Sequence, residues 1–180
     1  MAPTAKTTRA LVLVPTRELA EQVAKMAGQL AQCCGKPGVR AVNIAHNGSE
    51  ALQRALLADV PDVVVATPGR AVAHLGLLAG VSQLVIDEAD LVLAYGYDDD
   101  LQAIARALPR GLQTFLMSAT LTDEVDTLKK LFCRCPVILR LHEVDPGPDA
   151  DGSSGGVAQY IVKSVPLQLH PVSLVGGDPG

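Results

Sequence analysis

Short apolar runs that do not alternate with polar residues constrain the fold of this chain more than any other feature. They occur at residues 10–14, 39–45, 62–67, 84–88, 114–120 and 137–141. Unbroken apolar character is typical of strands buried on both faces, as in a parallel sheet. Because helical patterns separate most of these runs, the sequence predicts an α/β fold with right-handed crossovers.

Four helices are predicted between or after these strands, each from apolar residues that recur at helical spacing. The first has Thr16 as its N-cap and Gly35 as its stop, and the last has Thr122 as its cap, with Asp123 and Glu124 at its positive end. The residues predicted to share a helix face are Leu19, Val23, Met26 and Leu30; Leu52, Ala55 and Leu56; Leu101, Ile104, Ala105 and Leu108, ended by Pro109; and Val125, Leu128 and Leu131.

The composition along the chain predicts one domain followed by less regular segments. Of the 180 residues, 48% are hydrophobic, which is enough for one core. Residues 1–141 form the predicted domain, and residues 142–156 form a linker rich in Gly, Pro, Asp and Ser. Residues 157–180 are expected to be mostly disordered, with one further strand possible in "VAQYIVKSV".

Charge and cysteine content limit the function classes. The net charge of -4 argues against nucleic-acid binding through bulk charge, although a local basic edge remains open. No apolar run is long enough for a membrane span, and no secretory signal is expected. Cys33, Cys34, Cys133 and Cys135 favour reduced thiols in an intracellular protein, without disulfide partners. A shared metal site is the weaker alternative, because no histidine spacing supports it.

The acidic residues Asp87 and Glu88 directly follow a predicted strand. Ligands of open parallel sheets gather at the carboxyl ends of the strands. A carboxylate there suits a magnesium ion that keeps its waters, and a second one can orient or deprotonate an attacking water. Alternatively, Asp87 caps the next helix and its acidic neighbours are solvated, which is the better interpretation of this pair taken alone.

Three other strand ends carry polar residues, and together they favour a phosphate ligand. "VPTREL", "ATPGR" and "SATLTDE" each place Thr or Ser and backbone N–H groups at the same predicted edge. Arg17 and Arg70 lie near helix starts, where the dipole and free amides already favour phosphate. Each alone fits an N-cap with a surface arginine, but the whole ordered series is hard to explain that way.

The segments "PTRELA", "TPGR", "DEAD" and "SAT", in this order and spacing, resemble the motif series of the DEAD-box RNA helicases. The resemblance covers residues 10–141 and implies a RecA-like parallel sheet with helices on both faces. "PDVVVATPGR", "FLMSATLTDEVDTLKKL" and "DPGPD" are most similar to a nucleolar branch that acts in large ribosomal subunit assembly. The resemblance therefore implies ATP and Mg²⁺ as cofactors, RNA and pre-ribosomal particles as partners, and the nucleolus, or otherwise the cytoplasm, as location.

The resemblance also implies roles for individual residues. Asp87 would hold magnesium through water, and Glu88 would position or activate the hydrolytic water. Asp90 would bond to Ser118 and Thr120, on either side of Ala119, and so couple hydrolysis to strand separation. The residues expected to hold the RNA sugar-phosphate backbone, without reading sequence, are Pro15, Thr16, Arg17, Thr67, Pro68, Gly69, Arg70 and, as the nearest match to a Gly-Gly element, Gly48.

Some elements of the family pattern are not found in these residues. No G-x-x-x-x-G-K-[ST] phosphate loop precedes residue 10, and Gly35-Lys36 is a helix stop. The glutamine motif and the second RecA-like lobe are also not found. We therefore expect a fragment of a helicase core that is inactive alone. The phosphate-loop strand should be missing from mid-sheet, which leaves a gap beside the strand ending in Ser118.

Three functions remain open from the sequence. The first is the partial first lobe of an ATP-dependent RNA helicase, which the intact "DEAD" and "SAT" favour. The second is a non-catalytic remnant that binds RNA or a protein partner, which the missing phosphate loop favours. A different P-loop ATPase is the weakest, because it does not explain "PTREL" and "TPGR" together.

Overall fold

A computed structural model describes residues 6–35, 38–141 and 159–164. Its strands are β1 (Ala10–Leu13), β2 (Ala41–Asn43), β3 (Val63–Ala66), β4 (Gln83–Ile86), β5 (Gln113–Ser118), β6 (Pro136–Leu141) and β7 (Gln159–Ser164). Its helices are α1 (Arg17–Gln32), α2 (Glu50–Ala58), α3 (Pro68–Val72), α4 (Ala89–Ala94), α5 (Asp98–Ala107) and α6 (Asp123–Phe132), with a 3₁₀ turn at Leu75–Leu77. The predicted α/β fold is confirmed.

The strands form one sheet in the order β2-β3-β1-β4-β5-β7-β6. The five strands from β2 to β5 pair in parallel, as the apolar runs predicted. Burial on both faces is strongest in β3, whereas β5 alternates buried and half-buried residues. The unbroken apolar pattern therefore identified the strands correctly but overstated how deeply their second faces are buried.

The expected gap beside β5 is not present, and this part of the prediction was wrong. Strand β7 lies between β5 and β6 and pairs antiparallel with both. Val162, for example, stands opposite Leu116 of β5 and Ile138 of β6. Pairing there satisfies backbone groups of two strands at once, which explains why a segment so far along the chain occupies the place. The strand suggested by "VAQYIVKSV" is confirmed, while residues 142–158 and 165–180 lie outside the described residues.

Helices cover both faces of the sheet, as expected, but unequally. One face packs against α1 in a small cluster built around Val14, Ala20, Ala45 and Val65. The other face carries the main core, to which α2 to α6 contribute. Its fully buried side chains include Leu11 and Leu13 of β1, whose neighbour Val12 faces α1. Because side chains alternate along β1, this strand contributes residues to two separate cores.

The predicted apolar faces of the first two helices were partly wrong. Met26 and Leu30 of α1 are 64% and 65% exposed, and the buried residues are Ala20 and Ala31. Small side chains let the helix backbone lie close to the sheet, so the longer side chains turn outward. In α2, Leu52 is exposed, and the residues buried in the interior are Gln53 and Leu57.

The last two helices agree better with the sequence. Leu101, Ile104 and Leu108 are buried on the face of α5 that was predicted. Thr122 caps α6 by accepting a hydrogen bond from the Val125 amide at 3.3 Å. Leu131 of α6 is nevertheless 44% exposed, whereas the next residue, Phe132, packs against the core.

The cysteines differ in their surroundings. Cys33, Cys34 and Cys135 are exposed and Cys133 is buried, and all are free thiols. Burial raises the pKa of Cys133 to about 11. Within the described ranges, no group of three His, Cys, Asp or Glu side chains is arranged to hold a metal ion. No helix in that same part of the chain has the length and apolar character needed to cross a membrane.

Candidate functional site

The strand order gathers the predicted site segments along one edge of the sheet. The loop after β2, the segment after β3 and the segment after β1 are neighbours at that edge, followed by the segments after β4 and β5. The predicted RNA contacts therefore lie beside one another on three adjacent strands. The predicted catalytic and coupling residues lie on the next two.

Asp87 directly extends the pairing of β4 with β1, because its amide donates to the Leu13 carbonyl at 2.9 Å. Its Oδ1 accepts a hydrogen bond from the Glu88 amide at 2.9 Å. Burial raises the pKa of the Asp87 carboxyl, an effect that this hydrogen bond partly opposes. The N-cap position of α4 belongs to Glu88 and not to Asp87, so the alternative that Asp87 is simply the cap of this helix is not supported.

Glu88 adopts a left-handed backbone conformation, with φ 47° and ψ 54°. This region is uncommon for residues other than glycine, and such residues cluster at functional sites. Desolvation raises the pKa of the Glu88 carboxyl, and the negative charges of Asp87 and Asp90 raise it further. A carboxylate with a raised pKa is a stronger base than an ordinary glutamate, so it is better suited to accept a proton from water.

One hydrogen bond joins the ends of β4 and β5 at this edge. Thr120 Oγ1 donates to Asp90 Oδ2 at 3.0 Å, as the resemblance implied for this pair. The second expected bond, from Ser118 to Asp90, is not formed. Ser118 is only 3% exposed, and its Oγ has no hydrogen-bond partner among the described residues. Ala119 is exposed between them.

The segment after β1 presents Arg17 at the start of α1. Thr16 caps this helix by accepting from the Leu19 amide at 3.2 Å, as predicted. Arg17 is exposed, and its Nη1 donates to the Oδ1 of Asn47 in the loop after β2. Pro15 is buried and shapes the turn instead of offering a surface contact.

The segment after β3 presents Gly69 and Arg70. Thr67 and Pro68 are buried, Gly69 is exposed and Arg70 is half-buried. A Cβ atom added at Gly69 would lie 3.3 Å from Asp100 Oδ2 of α5, so a larger residue there is crowded. The backbone of Gly69 and the guanidinium of Arg70 are therefore the groups of this segment that are available to a ligand.

Gly48 lies in the loop after β2 at a place where a side chain has no room unless the His46 ring moves. An added Cβ would lie 2.3 Å from the His46 ring, far inside any normal contact. The ring is held there because the Gly48 amide donates to His46 Nδ1 at 2.8 Å. The loop thus has one compact shape, and its Asn47 contacts Arg17.

Sequence reasoning missed a buried polar pair behind this edge. Gln53 is 0% exposed and His74 is 3% exposed. His74 Nε2 lies 2.9 Å from Gln53 Oε1, and Gln53 Nε2 donates to the Gly48 carbonyl at 3.3 Å. The only signal in the sequence is that Gln53 precedes Leu57 by one helical turn, which places an amide on the apolar face of α2.

The residues at the edge fit a hydrated magnesium ion. Asp87 supplies one half-buried carboxylate, and magnesium commonly binds through one or two carboxylates while keeping its other waters. For the phosphates of ATP, the 180 residues contain no glycine-rich loop ending in G-K-[ST].

Comparison with known proteins supports the motif assignment. The family model described as DEAD/DEAH box helicase matches residues 2–128, which include the DEAD segment and the Asp90–Thr120 contact. The chain belongs to the DEAD/DEAH box helicase family. Its parallel sheet with helices on both faces is accordingly the RecA-like fold of DEAD-box proteins.

Two curated relatives and two solved structures show the extent of the similarity. The chain is 57% identical over 165 residues to ATP-dependent RNA helicase dbp9 of Emericella nidulans, and 55% identical to that of Aspergillus niger. These matches cover 89% of this chain but 26% of each relative, so the chain spans about a quarter of their length. A DEAD box protein of Methanococcus jannaschii has a TM-score of 0.61 at 30% identity, covering 71% of this chain and 35% of its own. The yeast DEAD-box splicing factor Prp28 has a TM-score of 0.63 at 27% identity, covering 72% and 32%.

Proposed function

We propose that this chain is part of the first RecA-like lobe of an ATP-dependent RNA helicase. The observation that carries the proposal is the arrangement of the site edge. Three candidate RNA segments stand on adjacent strands, and the acidic segment stands on the next strand, joined to β5 by the Asp90–Thr120 bond. The Asp87 amide also donates to the Leu13 carbonyl of β1, so the acidic segment is bonded directly to the strand that leads into Arg17.

The acidic half would serve ATP hydrolysis. Glu88 would accept a proton from the attacking water, and its raised pKa suits that role. Asp87 would hold a magnesium ion through water; when bound, magnesium neutralises charge that develops on phosphate oxygens. The bond from Thr120 to Asp90 would couple changes at the acidic segment to the end of β5.

The other half would bind the RNA backbone. Arg17 and Arg70, with the exposed backbone of Gly69, are groups that pair with phosphates. Phosphate contacts do not read sequence, so binding should tolerate any sequence and weaken strongly with salt. Changing both Arg17 and Arg70 to Ala should remove most of it.

For the whole protein we propose a role in large ribosomal subunit assembly in the nucleolus, with pre-ribosomal particles as partners. The support is the likeness of "PDVVVATPGR" and "FLMSATLTDEVDTLKKL" to that branch of the family, together with relatives whose names state ATP-dependent RNA helicase. A non-catalytic remnant that binds RNA or a protein is the second candidate. The specific observation in its favour is the lack of a phosphate loop in these residues.

A chimera separates the two candidates. The matched residues of the Emericella nidulans helicase are replaced by those of this chain, and RNA-stimulated phosphate release is measured. We expect turnover that Glu88→Gln abolishes while nucleotide binding remains, because the base is removed and the shape is kept. Glu21→Gln, at an exposed position of α1, is the matched control and should be neutral. A chimera that binds RNA without turnover would favour the remnant instead.

A further inference from the structure

The donor and the acceptor can be assigned in the hydrogen bond between the buried side chains of Gln53 and His74. The Gln53 amide nitrogen donates to the Gly48 carbonyl, so its oxygen faces His74. An amide oxygen only accepts, and His74 Nε2 must therefore carry the proton. Burial lowers the pKa of His74, which keeps the ring neutral, and the nearby guanidinium of Arg70 is among the charges that lower it further.

The two ends of this pair reach two different candidate RNA segments. At one end, Gln53 holds the carbonyl of Gly48 in the loop after β2. At the other, the His74 amide donates to the Ala71 carbonyl at 3.0 Å, which ties His74 to the helix that carries Arg70. The pair is thus a bridge between the Gly48 loop and α3.

The third candidate RNA segment joins the same series of contacts. Asn47, next to Gly48, accepts a hydrogen bond from Arg17. A continuous series of bonds therefore runs from Arg17 through the loop and the buried pair to the helix of Arg70. Side chains form the links from Arg17 to Asn47, from Gln53 to the Gly48 carbonyl and from Gln53 to His74, and a backbone bond to Ala71 forms the last.

Packing alone does not call for polar groups at these two positions. Leu57, one turn along α2, is an apolar residue on the same buried face. Burying an amide and an imidazole costs free energy unless both are paired, and a paired network defines one geometry more strictly than apolar contacts do. A role beyond filling space is therefore expected for this pair.

We propose that Gln53 and His74 are positioning residues for RNA binding, which hold the Gly48 loop and α3 in the placement where Arg17 and Arg70 engage one RNA strand. This inference rests on the proposed RNA-binding function of the edge. Neither side chain touches RNA, because both are buried behind the segments that do. Losing the bridge should lower RNA affinity about 2- to 30-fold, the range found for mutations that alter coupling without contacting a ligand.

The test compares RNA affinity and thermal stability in the same variants of the chain. The double variant Gln53→Met with His74→Leu removes both polar groups together, so no buried donor or acceptor of the pair is left unpaired. Binding is measured by fluorescence anisotropy of a short labelled oligouridine, and folding by thermal unfolding. We expect cooperative unfolding close to that of the wild type with affinity reduced in the stated range.

A conservative variant distinguishes positioning from a merely structural role. The single variant His74→Gln keeps Gln53 and presents an amide N–H to its Oε1. It should therefore bind RNA with near wild-type affinity, although its stability is the same as that of the double variant. Leu57→Met, on the same face of α2, is the matched control and should leave affinity unchanged. If the double variant itself fails to fold, Asn47→Ala breaks the other end of the series at an exposed position and should show the same loss.

The outcomes separate this inference from the proposed function. If Arg17→Ala with Arg70→Ala abolishes binding while the folded double variant and Asn47→Ala bind normally, the positioning role is overturned and RNA binding stands. Failure of His74→Gln to recover affinity also overturns it. If the wild-type chain does not bind RNA at all, both the proposed function and the inference fall.

Discussion

Replacing Val162 by proline tests whether β7 completes the sheet. Val162 is paired on both sides, opposite Leu116 of β5 and Ile138 of β6. Proline has no N–H and fixes φ near -65°, so within a strand between two neighbours it removes a ladder bond and distorts the rest. Val162→Thr keeps the N–H and the β-branched shape, and is the matched control.

The magnitude follows from the pairing. β7 has four residue pairs with β5 and six with β6. At about 1 kcal/mol net for each hydrogen bond, the two ladders contribute on the order of 10 kcal/mol, which is comparable to the net stability of a whole domain. Proline alone should cost about 3 kcal/mol, from one lost bond, one unpaired acceptor and backbone strain.

Thermal unfolding and solution sizing together provide the assay. A loss of about 3 kcal/mol corresponds to a fall in Tm of about 6 to 12 °C for a chain of this size. If the variant releases β7 instead, the freed edge of β5 should make it self-associate, which sizing detects. A proline variant that stays monomeric and unfolds at the temperature of Val162→Thr would refute the placement of β7 in mid-sheet.

The remaining predictions concern the site edge. The raised pKa of Glu88 stabilises the folded chain fully below the ordinary carboxyl pKa, and this stability is lost as pH rises through the raised value. Glu88→Gln should therefore raise the Tm at neutral pH and leave it unchanged in acid; an equal Tm at neutral pH contradicts this. Asp90→Asn removes a charge that raises the Glu88 pKa, so NMR titration should show that pKa falling toward its ordinary value, and no fall contradicts the assigned cause. Gly48→Ala must displace the His46 ring, and should weaken RNA binding more than Gly28→Ala, where the structure leaves open space; equal affinities would show that the loop shape is unimportant.

Local chemistry explains what the sequence revealed. Thr16 and Thr122 act as caps because an N-cap bond spans only three residues, and both were predicted from their neighbours. The strand segments were recognisable because an apolar run keeps its character in any tertiary setting. The motif segments were expected at one edge because the carboxyl ends of parallel strands meet there.

The features that the sequence did not reveal depend on partners far along the chain. The buried face of α1 was misjudged at Met26 and Leu30 because the distance between helix and sheet, and not periodicity, selects alanine for the interior. The insertion of β7 beside β5 is a pairing of segments more than forty residues apart, and no local pattern specifies strand order. Gln53 and His74 are 21 residues apart, and neither residue type is among those most often found fully buried. Only the tertiary structure brings the two together, because burial of either side chain is tolerable only when the other is present to pair with it.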